Sequence, residues 1–149
     1  MALQSVGSGW EARPLQSKAS MSVATGVLSA TQVLDLVQAA AAAVEDESGW
    51  LRVGERTANK VEVSIRDMTR ESTEPVLHFD VEVDRAVGRV TVRTTITTYV
   101  VKSGGMSKMV PMAKRKIVGF TAYRDFMDKY SGMLQRADPA AHVSFSGDW

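Results

Sequence analysis

The sequence predicts an α+β domain: an antiparallel sheet of about five strands, with an N-terminal and a C-terminal helix packed on one face. Three observations carry this expectation. The stretch from Val76 to Asp84 alternates, with Leu77, Phe79, Val81 and Val83 on one side, and Arg89 to Ile96 alternates through Val90, Val92 and Ile96. Alternation of period two marks half-buried strands. Val33, Leu36, Val37, Ala40 and Val44 recur at helical spacing behind Ser29-Ala30-Thr31-Gln32, which has the form of a capping box. Phe120, Tyr123, Met127, Tyr130 and Leu134 form a second helical stripe, ending near Asp138-Pro139.

Taken in order, residues 1–20 hold Gly7-Ser8-Gly9 and Pro14 without periodicity and predict a flexible arm, in which Trp10 is out of place. Residues 21–138 are expected to form the domain. Met21 to Val27 opens it as a short strand, and Leu28 and Val33 staple the start of the first helix. Glu45-Asp46-Glu47 puts anions where the helix dipole favours cations, so either the helix finishes early or a cation sits there. Trp50 to Val53 leads into a strand broken near Gly54, and Val61, Val63 and Ile65 alternate in the next. Thr69 to Pro75 is a polar loop.

A turn through Arg85-Ala86-Val87-Gly88 would then pair Asp84 with Arg89 and Asp80 with Arg93 on the wet face. It would set Val83 against Val90, Val81 against Val92 and Leu77 against Ile96 on the dry face. Opposite charges across a strand pair stabilise by about 0.2–1 kcal/mol each. The second strand extends toward Val101, and Ser103-Gly104-Gly105 turns the chain. Pro111, the following cations and Gly119 favour an edge strand over 106–118, running back beside 89–101. Residues 139–149 are expected to be a tail ending in Trp149. The resulting order, (β)-α-β-β-β-β-α, resembles that of helix-grip and TBP-like folds in topology alone; no family motif accompanies it.

The composition excludes several classes of function. With no cysteine among 149 residues, disulfide and thiolate chemistry are absent, which fits a cytoplasmic setting. No run of 18 apolar residues is present, so no spanning helix is expected, and the N-terminus lacks a signal-peptide pattern. The net charge of +1 conceals a division. Residues 35–84 carry twelve acids against five bases, and 85–136 eleven bases against two acids. Pairing of an acidic strand with a basic one accounts for part of it.

No phosphate-cradling glycine motif or Gly-x-Ser-x-Gly elbow occurs. The two histidines, His78 and His142, are too few for a zinc site without distant carboxylates. Asp80, Glu82 and Asp84 share a strand face, but nearby arginines favour ion pairing over a cation site. No catalytic set, metal site or cofactor is therefore assigned, and the reading leans away from an enzyme.

Two candidate sites remain. Phe79, Thr94, Ile96, Thr98, Tyr123, Met127 and Tyr130 would line a small apolar pocket between the sheet and the C-terminal helix, with hydroxyls placed inside an apolar space. Lys102, Lys108, Lys114, Arg115 and Lys116, interleaved with methionines, would form an anion-binding edge facing a nucleic acid or a lipid surface. The absence of aromatics there disfavours nucleic acid. The function expected first is a non-catalytic module binding a small apolar ligand in the pocket. The alternatives are a homo-oligomeric assembly subunit, a dimer burying Trp10 and Trp149, and the anionic-partner reading.

Overall fold

The computed structural model describes residues 14–44, 49–67, 74–101 and 116–147. A short 3-10 turn, Leu15–Lys18, precedes β1 (Ser20–Thr25) and helix α1 (Ala30–Ala42). Strands β2 (Gly49–Arg56), β3 (Lys60–Asp67), β4 (Leu77–Ala86) and β5 (Arg89–Tyr99) follow, then helix α2 (Phe120–Ala137) and β6 (His142–Ser146). All six strands join one sheet in the order β2-β3-β4-β5-β1-β6, and every neighbouring pair is antiparallel. The fold is thus the expected α+β class with six strands. Both helices pack on the sheet face that carries Met21, Val23, Val61, Val63, Ile65, Leu77, Phe79, Val81 and Val92, and these side chains form the core with the helical stripes.

The local signals explain the helices. The Ser29 side chain accepts from the Gln32 amide and the Gln32 side chain accepts from the Ser29 amide, closing both halves of the capping box. The helix stops at Ala42 with Ala43 as its C-cap, ahead of the acids that would oppose its dipole. Those acids lie outside the described residues. In α2 the expected stripe is buried, while Arg124, Asp128 and Gln135 are exposed.

The hairpin keeps its expected faces but not its expected register. Ala86 pairs with Arg89 around a two-residue turn, Val87-Gly88, and Gly88 takes a positive φ of 72° that glycine adopts without strain. Four of the five expected pairings are therefore displaced by two residues, so that Val83 faces Val92, Val81 faces Thr94, Asp80 faces Thr95 and Asp84 faces Thr91, while Leu77, expected opposite Ile96, is displaced by three to Tyr99. The acid–base pair across the strands is Glu82 with Arg93. A shift of two leaves inward side chains inward, so hydrophobic patterning tolerates either register. Between His78 and Phe79 the ladder slips by one, with Thr97 as the extra residue on β5. Beyond that bulge Thr98 faces His78 on the open side and Leu77 faces Tyr99 on the covered side.

Both ends of the chain contribute more to the sheet than expected. His142 to Ser146 is not a tail but β6, paired with β1 from Ser20↔Ser146 to Ala24↔His142. A Cβ on Gly147 would lie 2.5 Å from Ala19 Cα, so glycine alone lets the strand's end approach that backbone. Residues 14–20 are likewise built in: Ala19 is buried, and the buried Gln16 side chain accepts from the Ile117 amide at 2.9 Å. Of the expected edge strand over 106–118, the described part is a single antiparallel bridge, Val101↔Ile117.

Candidate functional site

The layer between β4, β5 and α2 gathers most of the pocket residues named above. Phe79, on β4, lies with its ring centroid 4.8 Å from Tyr123 and 5.0 Å from Phe126, and Phe126 stacks on Tyr130 at 5.3 Å. Phe126 was outside the expected stripe. It sits at i+3 from Tyr123, where a wider helical stripe would have included it. Phe79, Thr94, Tyr123, Met127 and Tyr130 retain no exposed surface, and Ile96 is half-buried. Thr98 does not join them. The bulge at Thr97 turns it to the open face, where its hydroxyl is 2.7 Å from His78 Nδ1.

The interior hydroxyls are committed to backbone. Tyr123 donates its proton to the Ala19 carbonyl at 2.8 Å, and Tyr130 donates to the Val33 carbonyl at 2.7 Å. Thr94 Oγ1 accepts from the Met21 amide at 2.9 Å and lies 3.0 Å from the Tyr123 hydroxyl and 3.4 Å from Met127 Sδ. With the Tyr123 proton on Ala19, the single Thr94 proton goes to the tyrosine oxygen or to the sulfur. These bonds tie the start of β1 to β5 and α2, and fasten α2 to α1. Burial pushes both phenols above their ordinary range, so they are neutral donors. A ligand entering this layer would have to part side chains already in contact, because a void wide enough for water would leave exposed surface on its lining.

At the opposite end of α2, Thr25 donates to the buried Asp138 carboxylate at 2.5 Å and accepts from the Val27 and Leu28 amides. The other Asp138 oxygen accepts from the Ala140 amide. This carboxylate holds the β1–α1 loop to the α2–β6 turn, a role that neither residue announces in sequence.

Neither described helix covers the sheet's other face. Its rows run Trp50–Arg66, then Arg52–Ser64–His78–Thr98, then Glu62–Asp80–Thr95, then Lys60–Glu82–Arg93–Ser22–Ser144. Arg66 lies over the Trp50 ring at 4.7 Å. Lys60 bridges Glu62 and Asp80, each at 3.9 Å. Partial burial raises the Asp80 carboxyl above its ordinary value, Glu82 and Glu62 add to the rise, and Lys60 and His78 oppose it. Among the described residues no group of histidine and carboxylate side chains could hold a metal ion. Lys102, Lys108, Lys114 and Arg115 lie outside the described residues; Lys116 is exposed.

Among the described residues, the two outermost strands of the sheet differ in chemistry. β2 carries Arg52, Glu55 and Arg56, a register irregularity between Val53 and Arg56, and an Arg56–Asp35 ion pair at 2.8 Å. Charges and bulges of this kind discourage pairing with another chain. β6 reads His142-Val143-Ser144-Phe145-Ser146, with no acid, lysine, arginine, proline or bulge. Since the Met21 amide points toward β5, alternation directs the Val143 amide away from β1, toward the sheet's outer edge.

No family model matches this chain, and no curated protein is similar to it in sequence. No helix among the described residues is long and apolar enough to cross a membrane.

Proposed function

We propose that this chain is a non-catalytic assembly module that forms a symmetric homodimer by continuing its sheet through β6. The observation that carries the reading is the contrast between the two edges, one guarded by charge and a bulge, the other plain. Self-pairing of an edge strand about a twofold axis is isologous, the commonest form of small assembly. The filled interior supports the same reading. Its hydroxyls hold backbones together, and its aromatic rings already occupy the layer where a small apolar ligand would sit.

Light scattering across micromolar concentrations tests the proposal, with Ser144→Lys as the probe. Ser144 is exposed on the open face, so the substitution leaves the core untouched. In a twofold β6 pair it brings two ammonium groups close together, and like charges across strands oppose pairing. The expected result is a dimer for the native chain and a monomer with unchanged melting temperature for the variant. A native chain that is monomeric throughout overturns the reading.

A further inference from the structure

Four connections meet at one end of the sheet: the β1–α1 loop at 26–29, the β2–β3 turn at 57–59, the β4–β5 turn at 87–88, and the α2–β6 turn at 138–141. All lie within the described residues, and the structure fixes them to one another. A Cβ on Gly26 would stand 3.4 Å from the Gly88 carbonyl oxygen, which puts the first and third connections side by side. Arg85 donates to Asn59 Oδ1 and, at 3.0 Å, to the Ala58 carbonyl, joining the second to the third. The Thr25–Asp138 bond joins the first to the fourth.

Two valines project from this end. Val27 is 72% exposed and Val87 105%, so Val87 stands clear of the chain altogether. The other exposed large apolar residues, Leu15, Trp50, Val100 and Phe145, are each less than half exposed and lie close in sequence to segments outside the description. Val27 and Val87 do not. A single exposed valine is ordinary, but here two share one tip, and one occupies a two-residue turn that favours polar residues and glycine. Beside them stand the exposed Arg85 and Arg89, which flank the β4–β5 turn. Of the nearby carboxylates, Asp138 is buried and bonded, and the exposed Asp84 lies one ladder position further from the turn than Arg85.

We propose that this tip docks on an anionic lipid surface, inserting Val27 and Val87 among the acyl chains' upper carbons while Arg85 and Arg89 meet the phosphates. The shape favours a membrane over a folded partner. The two valines project from turns, 72% and 105% exposed, rather than lining a groove, and a deformable interface accommodates a projection without a matching pocket. The charge is complementary as well, since guanidinium groups hold phosphate oxygens in pairs and their stems lie along apolar surface.

Flotation with vesicles of phosphatidylcholine alone, and of an equimolar mixture with phosphatidylglycerol, tests the assignment on the full chain. Binding is expected to the mixed vesicles and to weaken with salt. Val27→Ser and Val87→Ser should each lower the partition coefficient about tenfold, the cost of one valine left in water. Arg89→Gln should lower it about fivefold. Because Val87 touches nothing, its variant should keep the native melting temperature, so lost binding reports docking rather than unfolding. No binding to the mixed vesicles overturns the proposal, as does equal binding to both vesicle types or binding that Val87→Ser leaves unchanged. It is also overturned if Val87→Ser dissolves a dimer that Ser144→Lys leaves intact, which would make the tip a contact between copies.

Discussion

Strand β5 carries the same side chain into two environments. Thr94, on the covered face, has no exposed surface, and its hydroxyl joins the Met21 amide to the Tyr123 phenol. Thr95 and Thr98, on the open face, are exposed, and Thr98 meets the exposed His78. One hydroxyl is part of the fold's fastening and the other is a surface group with water as an alternative partner. A buried polar group deprived of its partner costs the full desolvation penalty, whereas an exposed one returns to water. The covered face therefore holds the molecule together, and the polar groups of the open face stand toward solvent.

The sharpest way to break this comparison is to remove a ring from the covered face. Phe79→Ala deletes the side chain that Tyr123 and Phe126 both pack against, and should lower stability by about 3–5 kcal/mol in denaturant unfolding. A loss below about 1 kcal/mol, less than that deletion allows even in a yielding site, would mean that the layer is loosely packed and that the ligand reading of this region regains support. Next in size is the threonine pair itself. Thr94→Val strands the Met21 amide and should cost about 1–3 kcal/mol, while Thr98→Val should stay within about 0.5 kcal/mol. Equal effects would erase the distinction between the faces.

Much of this division was legible in the sequence. The alternation of Leu77, Phe79, Val81 and Val83 assigned β4's faces, and the Ser29–Gln32 box placed the start of α1. The stripe from Phe120 to Leu134 oriented α2. What was not legible has a physical cause in each case. A two-residue turn and a four-residue turn leave the same side chains inward, so alternation cannot separate the register found from the one expected. Val87-Gly88 lacks the polar first residue that would have marked the shorter turn. In the run Thr94-Thr95-Ile96-Thr97-Thr98 a bulge leaves no trace, since threonine suits either face, and Thr98 was therefore placed inside. Val143 and Phe145 do alternate with polar neighbours, but over five residues the pattern is too short to separate an edge strand from a tail. Gln16 and Asp138 act through partners about a hundred residues away in sequence, which no local pattern records.

The smallest expected effect belongs to the open face and concerns pH. The Asp80 carboxyl lies above its ordinary value in the folded chain, mainly through partial burial, so the native state binds protons more readily than the unfolded one. Stability is then expected to fall as pH rises from the ordinary value of 3.8 through the raised one, with the full penalty present at neutral pH. Asp80→Asn removes that penalty. Its melting temperature should exceed the native value at neutral pH and converge on it in acid. A lower melting temperature at neutral pH would show that the Lys60 ion pair outweighs burial.

In the proposed dimer, β6 is the edge through which the sheet continues into a second copy. Amide hydrogen exchange at Val143, followed by NMR at low and high protein concentration, tests it at the bond in question. This amide, directed outward from β1, is expected to exchange rapidly in dilute solution and to become protected as concentration rises, and Ser144→Lys is expected to abolish the protection. Exchange at Val143 that is independent of concentration, in the native chain and the variant alike, would contradict it.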